Sequence, residues 1–481
     1  MSNNEPKESM ATELSSLKDM ETIYFIGIGG IGMSALARYF HSKGVAVSGY
    51  DKTETELTKA LVAEGIAIHY SEDIERIPKE TDVVVYTPAI PKDHAELVYY
   101  QQADYTVVKR SDVLGAITND AFNICVAGTH GKTTTSTMVA HILRHSGYGC
   151  NAFLGGISSN YGTNFWSDER DVCVVEADEY DRSFLKLNPD IAIITSMDAD
   201  HLDIYGDEVT MQDAFVGFGN KVKRSGLLIT RFGLKRTREI NANKKWSYSV
   251  GNDAADVYAS NMRIDEGGYE FDVVLPGAVI ADLRLNVGGM HNVENAIAAI
   301  AVAHSLEIDG DKIKAALAVF TGVKRRFEYI LPPQKRVEGG HVYPILIDDY
   351  AHHPTELTAL LKSAKSLFSQ RKITVVFQPH LYSRTKDFAD AFATSLEWVE
   401  RIILLPIYPA RELPMEGVNS EMILQKINSE DKKVMSKEAL LTWAASHAKS
   451  IDKEFGEVII TAGAGDIDAL VQPLKEIFSK A

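Results

Sequence analysis

Cysteine is scarce in this chain: Cys125, Cys150 and Cys173 are the three among 481 residues, and they stand far apart. That pattern offers neither a disulfide framework nor a thiolate metal cluster, and it fits a reducing compartment, with the cytoplasm as the expectation. Long apolar runs are missing too. No window approaches transmembrane length, and residues 1–20, polar and mixed in charge, lack the apolar core of a signal peptide and read as a flexible tail. Positive charge is in deficit, with 50 Lys and Arg against 66 Asp and Glu and a formal net charge of −16. Nucleic acid and anionic membranes select basic faces, so neither is an expected partner. Small anions remain open, because a single loop can be locally positive. What is present is ordinary globular composition, 45% hydrophobic and 24% charged, at a length that implies about two to four domains.

The chain is arranged around residues 123–135. Residues 124–127 predict a buried strand, Gly128, Thr129, His130 and Gly131 a turn, and residues 136–143 a helix. Strand, glycine turn and helix start together make an anion cradle. Backbone N–H groups and the helix dipole face a phosphate, Lys132 adds a mobile charge, and Thr133 can offer its hydroxyl to Mg²⁺. The loop lacks the first glycine of the full phosphate-loop pattern, because Val126 stands there.

Residues 21–115 read as a first domain. A strand at 22–26 runs into Gly27, Gly29, Gly30 and Gly32, then a helix, then a strand at 46–50 that ends at Asp51. This is a G-x-G-x-x-G turn in strand–turn–helix context with an acid downstream, inside a small parallel α/β sheet. It suits a diphosphate at the helix start and a sugar hydroxyl near Asp51. A dinucleotide such as NAD and a nucleotide-sugar diphosphate use the same physics, and the fingerprint does not choose between them.

Residues 116–322 form the expected central domain. A strand at 172–175 leads into Glu176, Asp178, Glu179 and Asp181, four carboxylates whose repulsion a cation would offset. The next strand, 191–195, leads to Asp198, Asp200, His201 and Asp203 at the same sheet edge, where ligands of open α/β sheets collect. Residues 257–287 alternate with glycine turns and predict an antiparallel meander. His291, Asn292 and Asn295 open an apolar helix, where Asn292 could cap it or the amides could meet a purine edge.

Residues 323–481 form the last expected domain, beginning at a basic hinge, Lys324, Arg325 and Arg326. Its strands at 343–347, 372–377, 401–405 and 457–461 each end in polar side chains. Among them are Asp349 and a set of His, Arg and Tyr residues, His352, His353, His380, Arg384, Tyr408 and Arg411, that could orient an amino acid.

Six ordered motifs resemble those of the Mur ligases, the ATP-dependent amide ligases of peptidoglycan precursor synthesis. They are Gly128 to Thr134, Glu176 to Asp181, Asp200 to Asp203, Gly289 to Asn295, Arg325 to Glu328, and Asp349 to Thr355. The glycine turn at 27–32 and the run from Phe377 to Thr385 extend the likeness over about residues 22–470. The resemblance implies three α/β domains: a Rossmann-like first domain, a phosphate-loop ATPase-like central domain with an added antiparallel sheet, and a Rossmann-like last domain. It implies ATP and Mg²⁺ as cofactors, and UDP-N-acetylmuramate and L-alanine as small-molecule partners. A preformed tripeptide is the alternative to alanine. Gly27, Gly29, Gly30, Gly32, Asp51 and Arg110 would then hold the UDP-sugar. Gly128, Thr129, His130, Gly131, Lys132, Thr133 and Thr134 would hold ATP phosphates, with His291, Asn292, Asn295, Arg326 and Asp349 around the rest of the nucleotide. Thr133, Glu176 and His201 would serve the metal, His353, His380 and Arg384 the amino acid, and Lys132, His201 and Arg384 the reaction. Two places depart from the family pattern: Tyr70-Ser71 stands for Gly-His, and Leu381 for Arg.

Overall fold

The computed structural model describes residues 20–103, 105–119, 121–198, 202–265, 267–334, 342–410 and 412–480. The expected tail lies outside the described residues except for Met20, which is buried. Asp200, His201 and Arg411 also lie outside them.

Three sheets carry the chain. The first has five parallel strands in the spatial order Ala67–His69, Ala46–Tyr50, Thr22–Ile26, Val83–Tyr86, Thr106–Lys109. This is the 3-2-1-4-5 order of a doubly wound nucleotide-binding sheet, and the order reverses beside Thr22–Ile26, whose end feeds the glycine turn. Alternation along that strand sends Ile23 and Phe25 to one hydrophobic cluster and Tyr24 and Ile26 to another, so both faces are covered.

The second sheet has ten strands. Its parallel part runs Lys244–Ser249, Leu227–Arg231, Ile191–Ile194, Phe122–Ala127, Val172–Glu176, Asn151–Phe153. Val257–Asp265 pairs parallel to Lys244–Ser249 and then turns back through Gly268–Leu275 and Ala278–Leu285, which is the expected meander, joined to the main sheet. The helix Met290–Ser305 packs on this sheet against the helix Lys132–His145. Its run of alanines, isoleucines and valines is buried on all sides, as an all-round apolar helix must be.

The third sheet orders Glu328–Leu331, Ile345–Asp349, Glu457–Ala462, Lys372–Phe377, Arg401–Leu404, Lys432–Val434, with the first strand antiparallel to the rest. Among the described residues no helix is long and apolar enough to cross a membrane.

A polar knot, buried at Arg38 and Asn164, fastens the first sheet to the second. Arg38, on the helix Ile31–Ser42, donates to Asn164 Oδ1 at 2.5 Å and to both oxygens of Glu64 at 2.7 and 2.8 Å. Asn164 Nδ2 donates back to the Ile31 carbonyl at 2.6 Å. The helix that starts at the first glycine turn is thereby held at a fixed angle to the central sheet.

Candidate active site

The helix expected from residue 136 begins four residues earlier, at Lys132. Three threonines depress intrinsic helix propensity but are buried here, so packing overrides it. Gly131 is the N-cap, no side chain caps the helix, and its first turn holds no acid, so the N–H groups and dipole of that end face outward for an anion. Gly128 has φ 137°, and a Cβ on it would fall 2.0 Å from Thr195 Oγ1, so only glycine lets the loop lie on the neighbouring strand end. The loop is tied down there by Ser196 Oγ, which accepts the His130 N–H at 2.8 Å and meets Thr129 Oγ1 at 2.8 Å.

Lys132 Nζ donates to the Gly128 carbonyl and to Glu179 Oε1, both at 2.7 Å. Glu179 is fully buried, and burial pushes its carboxyl up against the downward pull of Lys132. Thr133 Oγ1 donates to Glu176 Oε1 at 3.1 Å, and the other carboxylate oxygen accepts the Gly155 N–H at 3.0 Å. The four acids expected to share one cation are thus dispersed. Glu176 turns to Thr133, Glu179 to Lys132, Asp178 toward Arg110 at 3.6 Å, and Asp181 accepts the Ser183 N–H at 3.0 Å. Glu179, one of those four acids, is the partner of the loop lysine, a pairing across 47 residues that nothing in the local sequence signals.

Asn292 does not cap its helix. Gly289 does, and Asn292 lies inside the first turn with Nδ2 on the Gly288 carbonyl at 2.6 Å. Asn295 Oδ1 accepts from Thr135 Oγ1 at 3.1 Å, and its Nδ2 reaches Asn292 Oδ1 at 3.2 Å. Both amides are buried and brace the phosphate loop rather than present free edges. His291, one residue earlier, is exposed.

The first glycine turn repeats this design. The helix Ile31–Ser42 has Gly30 as N-cap, no capping side chain and no acid in its first turn. Asp51, expected near a sugar hydroxyl, accepts the Gly29 N–H on Oδ2 at 2.8 Å and so shapes the turn as well. Arg110 lies against Gly32, its Nη1 2.9 Å from where a Cβ would be, and reaches across to Asp178. Two anion-ready helix starts therefore lie on either side of one Arg110–Asp178 contact, with Arg110 against Gly32 on one side and Glu176, two residues before Asp178, on Thr133 at the other.

Residues 323–327 cross from the second sheet to the third. Val323 pairs with Ser158, and the Lys324 N–H donates to the Ile157 carbonyl at 2.9 Å, beside Gly156, which touches Thr133. Arg325 sits in left-handed conformation at φ 60° and donates to Asp348 Oδ2 at 3.2 Å and to the Gly463 carbonyl at 2.5 Å. Phe327, also left-handed, lays its ring on Gly288 and donates its N–H to Asp349 Oδ2 at 2.7 Å. Burial pushes the Asp349 carboxyl up to about 6. Arg326 lies within electrostatic reach of both His291 and Asp349.

In the third sheet His380 stacks on Tyr408 with ring centres 5.7 Å apart, and Arg384 Nη1 stands 3.4 Å from His380 Nδ1. Burial, Arg384 and His352 hold the His380 imidazole below its ordinary value, which keeps it neutral at neutral pH. His352, whose ring lies 6.1 Å from that of His380, belongs to this group more than His353 does. His353 instead accepts the Thr355 N–H and caps the helix Pro354–Leu367. Leu381 at φ 69° and ψ 137° is strained, and the strain sits at the start of the helix carrying Arg384.

Two helix starts without a capping side chain, one beginning at a lysine and the other beside an arginine, describe two places suited to anions. The comparisons give that description a family. Residues 22–121 match the profile "Mur ligase family, catalytic domain", 126–303 "Mur ligase middle domain" and 325–465 "Mur ligase, glutamate ligase domain". The chain belongs to the Mur ligase family. It is 47% identical to the UDP-N-acetylmuramate–L-alanine ligase of Cytophaga hutchinsonii, over 96% of this chain and 97% of that one. It is 46% identical to the Flavobacterium johnsoniae protein of the same name, over 97% and 99%. Among solved structures, the UDP-N-acetylmuramate-alanine ligase of Thermotoga maritima superposes with a TM-score of 0.77 at 29% identity, over 95% of this chain and 99% of that one. A murein peptide ligase of Psychrobacter arcticus shares the fold, with a TM-score of 0.64 at 24% identity over 96% and 99%.

Proposed function

We propose that this protein joins L-alanine to the carboxylate of UDP-N-acetylmuramate, using ATP and passing through an acyl phosphate. The observation that carries the reading is the placement of the two uncapped helix starts on either side of Arg110–Asp178. A carboxylate is too poor an electrophile for an amine, so its oxygen first takes the terminal phosphoryl group of ATP, and ADP leaves. The amine of alanine, as free base, then attacks the carbonyl, and phosphate departs from the tetrahedral intermediate. The product is the amide, with ADP and phosphate released.

The residues supply positioning and charge. The turn at 27–32 and Arg110 hold the UDP diphosphate, a reading supported by membership of a ligase family whose reaction has no redox step. The turn at 128–131 and the N–H groups at Lys132, Thr133 and Thr134 hold the ATP phosphates. Lys132 exchanges Glu179 for phosphate oxygens as charge moves to the leaving group. Hard oxygen donors of Thr133 and Glu176 fit Mg²⁺, which takes one or two carboxylates beside phosphate oxygens and water. When bound, Mg²⁺ offsets phosphate charge and polarises the transferred phosphoryl group. Arg326 approaches the nucleotide across the hinge, with Asp349 at its ribose and His291 at its base. Neutral His380 and the Arg384 fork receive the amino acid, Arg384 pairing its carboxylate.

The deciding experiment is ADP release with UDP-N-acetylmuramate against a panel of amino acids and the tripeptide L-alanyl-γ-D-glutamyl-meso-diaminopimelate. Release with L-alanine and not with tripeptide is expected. Release with the tripeptide alone would assign a recycling ligase, and release without any acceptor would refute ligation.

A further inference from the structure

A second cationic site lies outside this machinery. Residues 221–245 hold nine Lys or Arg and one acid, Glu239, in a chain whose net charge is −16. The loop that leaves the strand Leu227–Arg231 borders a half-open pocket of ≈ 620 Å³, within the size range of small-molecule sites. Arg231, Phe232, Arg236, Thr237, Arg238 and Ser247 are among its lining residues. Two of the guanidinium groups are held in place by acids: Arg231 Nε by Glu294 at 2.9 Å, and Arg236 Nη2 by Asp213 at 2.7 Å and Glu239 at 2.6 Å. Arg238 is exposed and makes no ion pair among the described residues, and Phe232 presents a 39% exposed ring to the same space. Concave shape, fixed guanidinium groups, one uncommitted guanidinium and an aromatic wall fit a compact anion bearing a flat ring. A flat, convex basic patch would instead fit a polymer or an acidic protein surface.

We propose that this cavity binds a phosphorylated, ring-bearing small molecule of the nucleoside monophosphate class, at a site distinct from both anion cradles. Thr230 pairs with Ile194, so Arg231 emerges beside Thr195 under the phosphate loop, and its partner Glu294 lies between Asn292 and Asn295. A phosphate that draws on Arg231 competes with Glu294 for it.

The test is calorimetric titration of the full chain, saturated with a non-hydrolysable ATP analogue and UDP-N-acetylmuramate, with guanosine monophosphate and with guanosine. The expected result is saturable binding of the monophosphate, with guanosine at least tenfold weaker. Arg238→Gln should weaken the monophosphate at least tenfold, about 1.4 kcal/mol. Arg224→Gln, which removes the same charge near the opposite end of the Leu227–Arg231 strand, should leave it unchanged. No binding once both cradles are filled, equal binding of guanosine, or equal weakening by the two substitutions would each overturn the proposal. Because binding and not ligation is read, a failure here is separable from a failure of the ligase assignment.

Discussion

Gly155→Ala isolates the role of Glu176 without touching a charged group. A methyl at position 155 would stand 2.3 Å from both Glu176 carboxylate oxygens. Van der Waals contact needs roughly 1 Å more, so the carboxylate must retreat by about that distance. It sits at the end of a flexible side chain, so it can swing away while the backbone stays. Glu176 then leaves Thr133 Oγ1, now 3.1 Å away, and loses the Gly155 N–H. Misplacing a positioned group by about 1 Å costs about 10²-fold in rate, or about 2.7 kcal/mol of transition-state stabilisation. The expected outcome is a kcat for ADP release lowered about 10²-fold with a raised Mg²⁺ requirement. Tm should fall by about 4 °C or less, the shift of roughly 1 kcal/mol in a chain larger than 150 residues. A variant with wild-type kcat and wild-type Mg²⁺ dependence would refute the placement of Glu176 at the metal.

Lys132→Ala should abolish ligation, by about 10³-fold or more, while UDP-N-acetylmuramate still binds in calorimetry. It should also destabilise the fold, because buried Glu179 loses its cation, and adding Glu179→Gln should restore Tm but not activity. The raised carboxyl of Asp349 contributes stability that is complete below its unfolded value and is lost as pH rises through about 6. The Tm of Asp349→Asn minus that of wild type should therefore climb between about pH 4 and 7, and a flat difference in thermal melts would contradict the burial argument. Arg384→Lys, which keeps the charge but loses the planar fork, should raise KM for L-alanine about tenfold with KM for the UDP-sugar unchanged.

Periodicity and glycine spacing made the parallel sheets and the meander legible, because buried strands and tight turns each impose a local pattern. The helix at Lys132 was underread because Thr133, Thr134 and Thr135 speak against helix locally, and only burial beneath the Met290–Ser305 helix reverses that. The phosphate loop was recognisable from its own residues, but its supports were not. Gly155, Ser196 and Asn295 come from other strands and a distant helix, and nothing near them in sequence announces that they meet. The same limit explains His353, whose motif promised a ligand contact and whose position at a helix start gave it a capping bond. Arg325 and Arg326 could not be told apart by type; backbone conformation sends the first into Asp348 and leaves the second within electrostatic reach of His291 and Asp349.

The crossing between the second and third sheets has a mechanical consequence. Up to Lys324 the chain is pinned to Ile157 and Ser158; from Arg325 onward it is pinned to Asp348, Asp349 and Tyr350. Contacts also span the crossing: the Arg326 N–H donates to the Val323 carbonyl at 3.2 Å, the Tyr329 hydroxyl donates to the Gly267 carbonyl at 2.6 Å, and the Phe327 ring lies on bare backbone at Gly288. The first two sheets are tied to each other through Arg38 and Asn164. Any movement of the third sheet relative to the second has to break those spanning bonds.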